Sequence, residues 1–203
     1  MITLYHVPQS RSSRIIWLLE ELGVPYKICP VSIFRSTTGE GVADPENPHP
    51  DKRVPAIMHN GMLVAESVAI ILYLTEAVPE ARLGPQPGEA GRGDYLTWLA
   101  WYAAELEPIL LAQMAGEVAG STEKRRTYDL VLRRLETALA QSPYLMGEVF
   151  TSADLLISSA LFFGRQAFPE SELLDAFITR CRTRPAALRA LALDTASGIQ
   201  KPA

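Results

Sequence analysis

Val54-Pro55-Ala56-Ile57, a turn at Asn60-Gly61, and then Leu63-Val64-Ala65-Glu66-Ser67-Val68-Ala69-Ile70 form the stretch whose reading decides the fold. It reads as strand, hairpin turn, strand, and a helix that opens on Glu66-Ser67. An Asn-Gly pair between short apolar runs signals a hairpin, because both turn residues must reach positive φ. A proline at the start of a strand costs no ladder hydrogen bond. A cis bond is expected before Pro55, leaving the backbone groups of Val54 free to pair with something other than protein. The helix that follows points its free N–H groups at the same place, and such an end attracts a carboxylate. A small anionic, peptide-like ligand is the expected occupant.

Working outward, residues 2–6 and 26–31 read as buried strands flanking a helix over about residues 12–22. Ile15, Leu18, Leu19 and Leu22 fall on one apolar face of that helix, and Gly23 ends it. With the hairpin these elements make a small four-stranded mixed sheet. Residues 34–53 are rich in Gly, Pro, Asp and Asn and read as loop with at most a short helix. The helix from Ser67 reaches about Ala77 and stops at Pro79, after which Pro79, Gly84, Pro85, Pro87 and Gly88 mark a linker.

Beyond the linker the hydrophobic period becomes helical. Leu96, Leu99, Ala103, Leu106 and Leu110 form one stripe, and Tyr128, Val131, Leu135 and Leu139 another. Residues 155–164 mix apolar with small side chains, as a central helix packed on all sides would. About five helices are expected, with no internal repeat or low-complexity tract.

Composition narrows the function classes. The chain has 203 residues, enough to bury a substantial core in one or two domains. Its 23 Asp and Glu against 19 Lys and Arg give no basic surface for nucleic acid. There is no basic and apolar leader at the N-terminus and no apolar run long enough to span a bilayer, so no membrane is expected as partner. Cys29 and Cys181 lie far apart without metal-ligand spacing, and a reduced cytoplasm is the simplest home.

The Val-Pro hairpin and its helix resemble the glutathione-binding, thioredoxin-like domain of the cytosolic glutathione transferases. The resemblance extends to Leu4-Tyr5-His6 and to Ser10-Arg11-Ser12-Ser13-Arg14-Ile15-Ile16-Trp17-Leu18-Leu19-Glu20-Glu21-Leu22-Gly23, which are similar to the first strand and helix of bacterial, serine-type members. It reappears in Phe150-Thr151-Ser152-Ala153-Asp154, similar to the family's helix-capping box, and in Arg184-Pro185-Ala186. The fold it implies is an α/β thioredoxin-like N-terminal domain plus an all-α C-terminal domain. The expected boundaries are 1–79 for the glutathione-binding domain, 80–88 for the linker and 89–203 for the helical domain with a second-substrate pocket.

Read from the residues alone, Ser10 between the first strand and first helix caps the helix or donates to a thiolate. The resemblance favours the second, because serine-type members use this position to stabilise the glutathione sulfur. Lowering a free thiol from about 8.5 to about 6.5 asks for about 2.7 kcal/mol of thiolate stabilisation, within reach of one hydroxyl, a helix N-terminus and Arg11 or Arg14. Ser12 and Ser13 are alternatives, and Tyr5 is placed in the core or pocket wall. No cysteine stands at the start of the first helix, which disfavours a mixed-disulfide mechanism.

The resemblance further implies that Ser67 meets the γ-glutamyl carboxylate, Glu66 its ammonium and Val54-Pro55 the cysteinyl backbone, like an added strand. Arg11 and Ser12 join the glutathione-binding set, and Lys52 or Arg53 meets the glycyl carboxylate. The family usually carries Gly and Lys in the loop before Val-Pro. Here His49-Pro50 is followed by Asp51-Lys52-Arg53, with Lys52 where the glycine stands.

Trp98, Trp101, Tyr102, Met114 and Phe162 read mainly as core, with Tyr102, Trp101 and Met114 as the candidates for lining an apolar second-substrate pocket. His6, His49 and His59 read as structural or loop residues, and Thr151 with Asp154 as a capping box. The helix around Leu96 is apolar on more than one side, at Trp98, Trp101 and Tyr102, from which a homodimer is expected. The expected activity is conjugation of glutathione, as co-substrate and without a metal, to an apolar electrophile in detoxification. The alternatives are glutathione-dependent peroxide reduction or isomerisation, and a non-catalytic binding or regulatory protein on the same fold.

Overall fold

The structure is a computed structural model that describes residues 1–35 and 38–195. Residues 36–37 of the expected loop and 196–203 at the expected end of the helical domain lie outside the described residues. The chain divides into two compact units, one holding residues 1–81 together with the segment from Pro185, the other Arg82–Arg184.

The first unit is built on β1 (Ile2–His6), α1 (Ser13–Leu22), β2 (Tyr26–Pro30), β3 (Ala56–His59), β4 (Met62–Ala65) and α2 (Ser67–Ala77). The sheet order is β2-β1-β3-β4, with β1 and β2 parallel and the other pairings antiparallel. Parallel neighbours need a crossover, and α1 supplies it. Asn60 and Gly61 both take positive φ, 51° and 79°, and close the β3–β4 hairpin at the His59–Met62 pair. Among the described residues, 31–55 hold no helix or named strand, as the loop-rich composition predicts. In α1 Ile15, Ile16, Leu18 and Leu19 are fully buried, each such side chain contributing about 1.5 to 3 kcal/mol. Gly23 ends the helix in the left-handed conformation at φ 66°.

The last described helix, α8 (Pro185–Thr195), packs along α1 and belongs to this unit, not to the helical domain 89–203 in which the sequence reading set it. Small side chains allow the approach, since Ala186, Ala187 and Ala190 are its buried face. Polar contacts fix it along its length. Arg189 donates to the Glu20 carboxylate at 2.6 Å and to the Glu20 carbonyl at 3.2 Å, and Asp194 binds the start of α1. Tyr26 donates to the same Glu20 carboxylate at 2.7 Å. Burial would raise the Glu20 pKa, but the bonds from Arg189 and Tyr26 outweigh it and hold the group below its usual range.

The second unit contains α3 (Arg92–Trp101), a π turn at Tyr102–Leu106, α4 (Glu107–Met114), α5 (Thr122–Gln141), α6 (Ser152–Phe163) and α7 (Glu172–Arg182). Helix α6 is central, with Leu155, Leu156, Ile157 and Leu161 fully buried. The α5 stripe is as expected at Val131, Leu135 and Leu139. The α3 stripe is not. Leu99, Leu106 and Leu110 are buried, but Leu96 and Ala103 are exposed, and Tyr95, Trp98, Tyr102 and Ile109 take the inward positions. Two causes act here. The larger rings at Tyr95 and Trp98 bury more area than Leu96 would, and the π turn changes the helical phase. Pro108 lies just beyond that turn; it has no N–H to donate back and its ring crowds the preceding turn, so the helix widens.

This geometry also corrects the basis of the homodimer expectation. Trp98, Trp101 and Tyr102 are buried within the chain itself, and the large apolar side chain that this helix exposes is Leu96. The two tryptophan rings meet edge to face at 5.2 Å, and the Arg134 guanidinium lies over both at 4.6 and 4.8 Å. Met114 and Phe162, read as mainly core, are exposed, and Arg182 covers the Phe162 ring at 3.4 Å.

Candidate functional site

Three segments of the first unit carry the candidate residues: the end of β1 with the start of α1, the loop before β3, and the corner between β4 and α2. At that corner a single residue, Glu66, joins the last strand position Ala65 to the first helical position Ser67. So short a turn forces Glu66 to φ 69° and ψ 133°, a region that L-residues rarely adopt. Ser67 is 7 % exposed, and its Oγ is a buried hydroxyl without a hydrogen-bond partner among the described residues. Hydroxyls in such a position are nearly always paired, and this one stands in the first turn of an eleven-residue helix.

The Val54–Pro55 peptide bond is cis. Val54 is buried, and no backbone hydrogen bond among the described residues uses its N–H or C=O. Both groups are left beside Ala56, which opens β3.

The preceding loop is held by its own side chains. Asn47 accepts from the His49 N–H at 3.0 Å and donates to the Arg53 carbonyl at 3.0 Å. Lys52, at φ 54°, takes the left-handed backbone that a glycine would take, which explains how the loop keeps its course without one. Its ammonium donates to the carbonyls of Asn47 at 2.7 Å and Pro45 at 3.0 Å and so staples the loop. Arg53 is exposed and pairs with Asp51 at 2.7 Å, with Glu66 Oε1 at 3.8 Å. His49 is buried, accepts from the Asp51 N–H at 3.0 Å through Nδ1, and brings Nε2 to 3.9 Å from Glu66. Of the two cations expected at a glycyl carboxylate, Arg53 is the one whose charge is not committed to loop carbonyls.

At the start of α1, Ser10 is half-buried, and its hydroxyl donates to the Val7 carbonyl at 2.7 Å. Its oxygen lies 2.7 Å from Ser12 Oγ and accepts the Ser12 N–H at 3.2 Å. Ser12 is fully buried and occupies the N-cap position of α1 without a capping bond of its own. Its oxygen instead faces His6 Nδ1 at 2.8 Å and accepts the Val7 N–H at 3.2 Å. Enclosed in this way, Ser12 reaches a ligand only through Ser10. Ser13 donates to Asp194 at 2.6 Å, and the Gln9 N–H does so at 3.3 Å. Burial pushes the Asp194 pKa up, but the His6 ring beside it and the bonds from Ser13 and Gln9 outweigh that and hold it below the usual carboxylate range. Arg11 is exposed at this corner. Tyr5 is half-buried and alternates with His6 along β1, so the two side chains take opposite faces of the sheet.

The pocket candidates of the second unit divide. Trp101 and Tyr102 are core, and the Tyr102 hydroxyl donates to Glu107 at 2.5 Å, whereas Met114 is exposed at the end of α4. Thr151 and Asp154 form the expected capping box. Asp154 is fully buried, which raises its pKa against the pull of its hydrogen bonds. Burial also pushes the Cys181 thiol up to about 12, which removes it as a nucleophile. Among the described residues no group of His, Cys, Asp and Glu could hold a metal ion, and no helix is long and apolar enough to cross a membrane.

Sequence reasoning missed Asn47, the contact of His49 with Glu66, and Asp194. Asn47 and His49 carry the local signal of an Asx-type loop, Asn followed two residues later by its partner. Asp194 carries none, because its partners stand 181 and 185 positions away.

Comparison with known proteins agrees with this geometry. Residues 4–82 match the glutathione S-transferase N-terminal domain and residues 102–185 the glutathione S-transferase C-terminal domain. The chain is 26% identical over 188 residues to Glutathione S-transferase 3 of Schizosaccharomyces pombe, covering 83% of this chain and 76% of the relative. It is 26% identical over 199 residues to Glutathione S-transferase GstA of Escherichia coli O157:H7, covering 94% and 98%. A crystal structure of a glutathione S-transferase from Actinobacillus pleuropneumoniae superposes with a TM-score of 0.80 at 27% identity, covering 98% of this chain and 99% of that one. A mixed four-stranded sheet with a cis Val54–Pro55 bond before β3, a buried serine without a partner among the described residues at the head of α2, and a helical second unit thus occur in a chain that belongs to the glutathione S-transferase family of enzymes.

Proposed function

We propose that the first unit binds glutathione and that Ser10 stabilises its thiolate for conjugation to an apolar electrophile. The observation that carries the reading is the buried Ser67 hydroxyl without a partner. A γ-glutamyl carboxylate would accept from it and from the open N–H groups of α2, with the helix dipole adding attraction. The exposed Glu66 carboxylate stands beside that point to take the ammonium. The free backbone groups of Val54 pair with the cysteinyl unit, which sets the sulfur towards the start of α1. Arg53, with Arg11, provides positive charge for the far carboxylate.

With the sulfur near Ser10, the hydroxyl leaves the Val7 carbonyl and donates to the thiolate. The sulfur then attacks an electrophilic carbon, either displacing a leaving group with its electron pair or adding to an activated double bond. The rate gain comes from thiolate stabilisation and from holding two reactants together. The setting proposed is a homodimer acting in cytoplasmic detoxification. The exposed Met62 and Leu63 on the edge strand β4, together with Leu96 and Leu111 in the second unit, support the assembly.

Calorimetry tests the carrying observation. Ser67→Ala is expected to weaken glutathione binding by roughly 1 to 3 kcal/mol, the cost of an unmade hydrogen bond to a charged group. Unchanged affinity would sink the assignment. Glutathione-dependent turnover of a chlorinated aromatic by the unaltered protein separates conjugation from a binding role.

A further inference from the structure

Behind Ser10 runs a chain of polar groups that thiolate stabilisation by one hydroxyl leaves unused. Ser10 Oγ lies 2.7 Å from Ser12 Oγ, Ser12 Oγ 2.8 Å from His6 Nδ1, and His6 Nε2 3.2 Å from Asp194 Oδ1. The last approach is off the hydrogen-bond direction, and it becomes an ion pair when the imidazole is protonated. His6 and Ser12 are fully buried, and only Ser10 at the outer end is half-exposed. Among the described residues the polar partners of the imidazole are Ser12 from the start of α1 and Asp194 from α8, and of the two only Asp194 is charged.

We propose that His6 takes the proton of the bound thiol through Ser10 and Ser12, and that Asp194 holds the imidazole ready to receive it. The inference rests on the reading of Ser10 as the sulfur's partner. With the Nε2 proton turned to Asp194, the Nδ1 lone pair faces Ser12 and accepts its O–H. When glutathione binds, its S–H bond breaks and that proton passes to Ser10 Oγ. The proton of Ser10, turned from the Val7 carbonyl, passes to Ser12 Oγ, and that of Ser12 to His6 Nδ1. The products are a thiolate and an imidazolium, so the buried chain gains one positive charge, and it gains it beside the Asp194 carboxylate.

The transfer also reverses every hydrogen bond along the line. His6 then donates to Ser12, Ser12 to Ser10, and Ser10 to the sulfur, so removal of the proton and stabilisation of the thiolate become one event. The two oxygens need not move. Ser12 Oγ keeps the Val7 N–H at 3.2 Å and Ser10 Oγ keeps the Ser12 N–H at 3.2 Å in both states, while the protons shift along the line. Charge on the imidazolium is balanced by Asp194, whose carboxylate is already ionised and fixed by Ser13 and the Gln9 N–H. His6, Ser12 and Asp194 are in this sense positioning and relay residues. Only Ser10 touches the substrate.

The unaltered protein gives the first test. Thiolate formed on glutathione binding is read by its ultraviolet absorbance, and proton release by an indicator dye in weak buffer at neutral pH. Retention of the thiol proton is expected, with far less than one proton released per thiolate. Release of about one proton per thiolate formed would overturn the relay.

Variants then locate the retained proton. Ser12→Ala, His6→Gln and Asp194→Asn should each lower the thiolate fraction of bound glutathione near neutral pH by about tenfold or more, with recovery at high pH. Binding of S-methylglutathione, which has no proton to give, should stay within about twofold and reports that the site is folded. If Ser10→Ala alone loses the thiolate while Ser12→Ala and His6→Gln keep it, the relay is wrong and the Ser10 reading stands. If Ser10→Ala keeps a normal profile, the Ser10 reading itself fails. Should the buried His6→Gln not fold, Ser12→Ala and the proton count decide the matter.

Discussion

Helices α6 and α2 both begin with a hydroxyl residue next to a carboxylate, and the two ends are in opposite states. At α6, Asp154 accepts from the Thr151 N–H at 2.7 Å, the Thr151 hydroxyl at 2.9 Å and the Leu145 N–H at 2.8 Å, all out of water. At α2, Glu66 points its carboxylate into solvent from a strained backbone, and the buried Ser67 hydroxyl has no partner among the described residues. The first end is complete within the protein; the second leaves a hydroxyl without a partner among the described residues. Similar residues thus cap a helix in one unit and, on the proposed reading, meet a ligand in the other, and the difference lies in whether the acceptor is internal.

Breaking the complete end should have the largest effect. Asp154→Ala removes the cap and strands two buried N–H groups and a hydroxyl, so a loss of roughly 3 to 5 kcal/mol in urea unfolding is expected. A loss below about 1 kcal/mol would show that the box contributes no more than an exposed cap. At the incomplete end the opposite pattern is expected. Ser67→Ala, which should weaken glutathione binding, should change unfolding free energy by less than about 0.5 kcal/mol, since no internal bond is lost.

Glu66→Gly sharpens the contrast further. Glycine accepts positive φ without strain, so the variant should be more stable by about 1 kcal/mol while binding glutathione more weakly. A variant that loses both stability and affinity would mean that the carboxylate has a structural partner.

The smallest effect belongs to Asp194 and depends on pH. Its folded pKa lies below the ordinary value, so its stabilising contribution is present above the unfolded value of about 3.9 and is lost as pH falls through the lower folded value. The melting temperature of the unaltered protein should exceed that of Asp194→Asn at neutral pH, and the gap should close as the pH drops below about 4. A gap that is constant across that range would remove the carboxylate's charge from the account.

Legibility in the sequence followed the range of the interaction. The hairpin at Asn60-Gly61 depends on two adjacent backbone conformations and was readable; so was the Thr151–Asp154 box, three residues apart. The α3 stripe was misread because the sequence shows a period but not the phase change at the π turn beside Pro108, nor which of several apolar side chains wins the inward face. Trp98, Trp101 and Tyr102 give the α3 region an apolar look on more than one side, and a one-dimensional pattern cannot count the neighbours that cover a side.

The sequence by itself determined the strand, helix and hairpin order of the first unit and the family, and it singled out Ser10, Val54, Glu66 and Ser67 as candidates, because these depend on local geometry or on ordered motifs. Only the tertiary structure decided that α8 returns to α1, that Lys52 staples its own loop, and that Asp194 stands behind His6 and Ser12. Each of those turns on an approach between groups whose placement depends on the rest of the fold. A carboxylate gains a partner 185 residues away only once the sheet and α1 have set the surface on which α8 can pack.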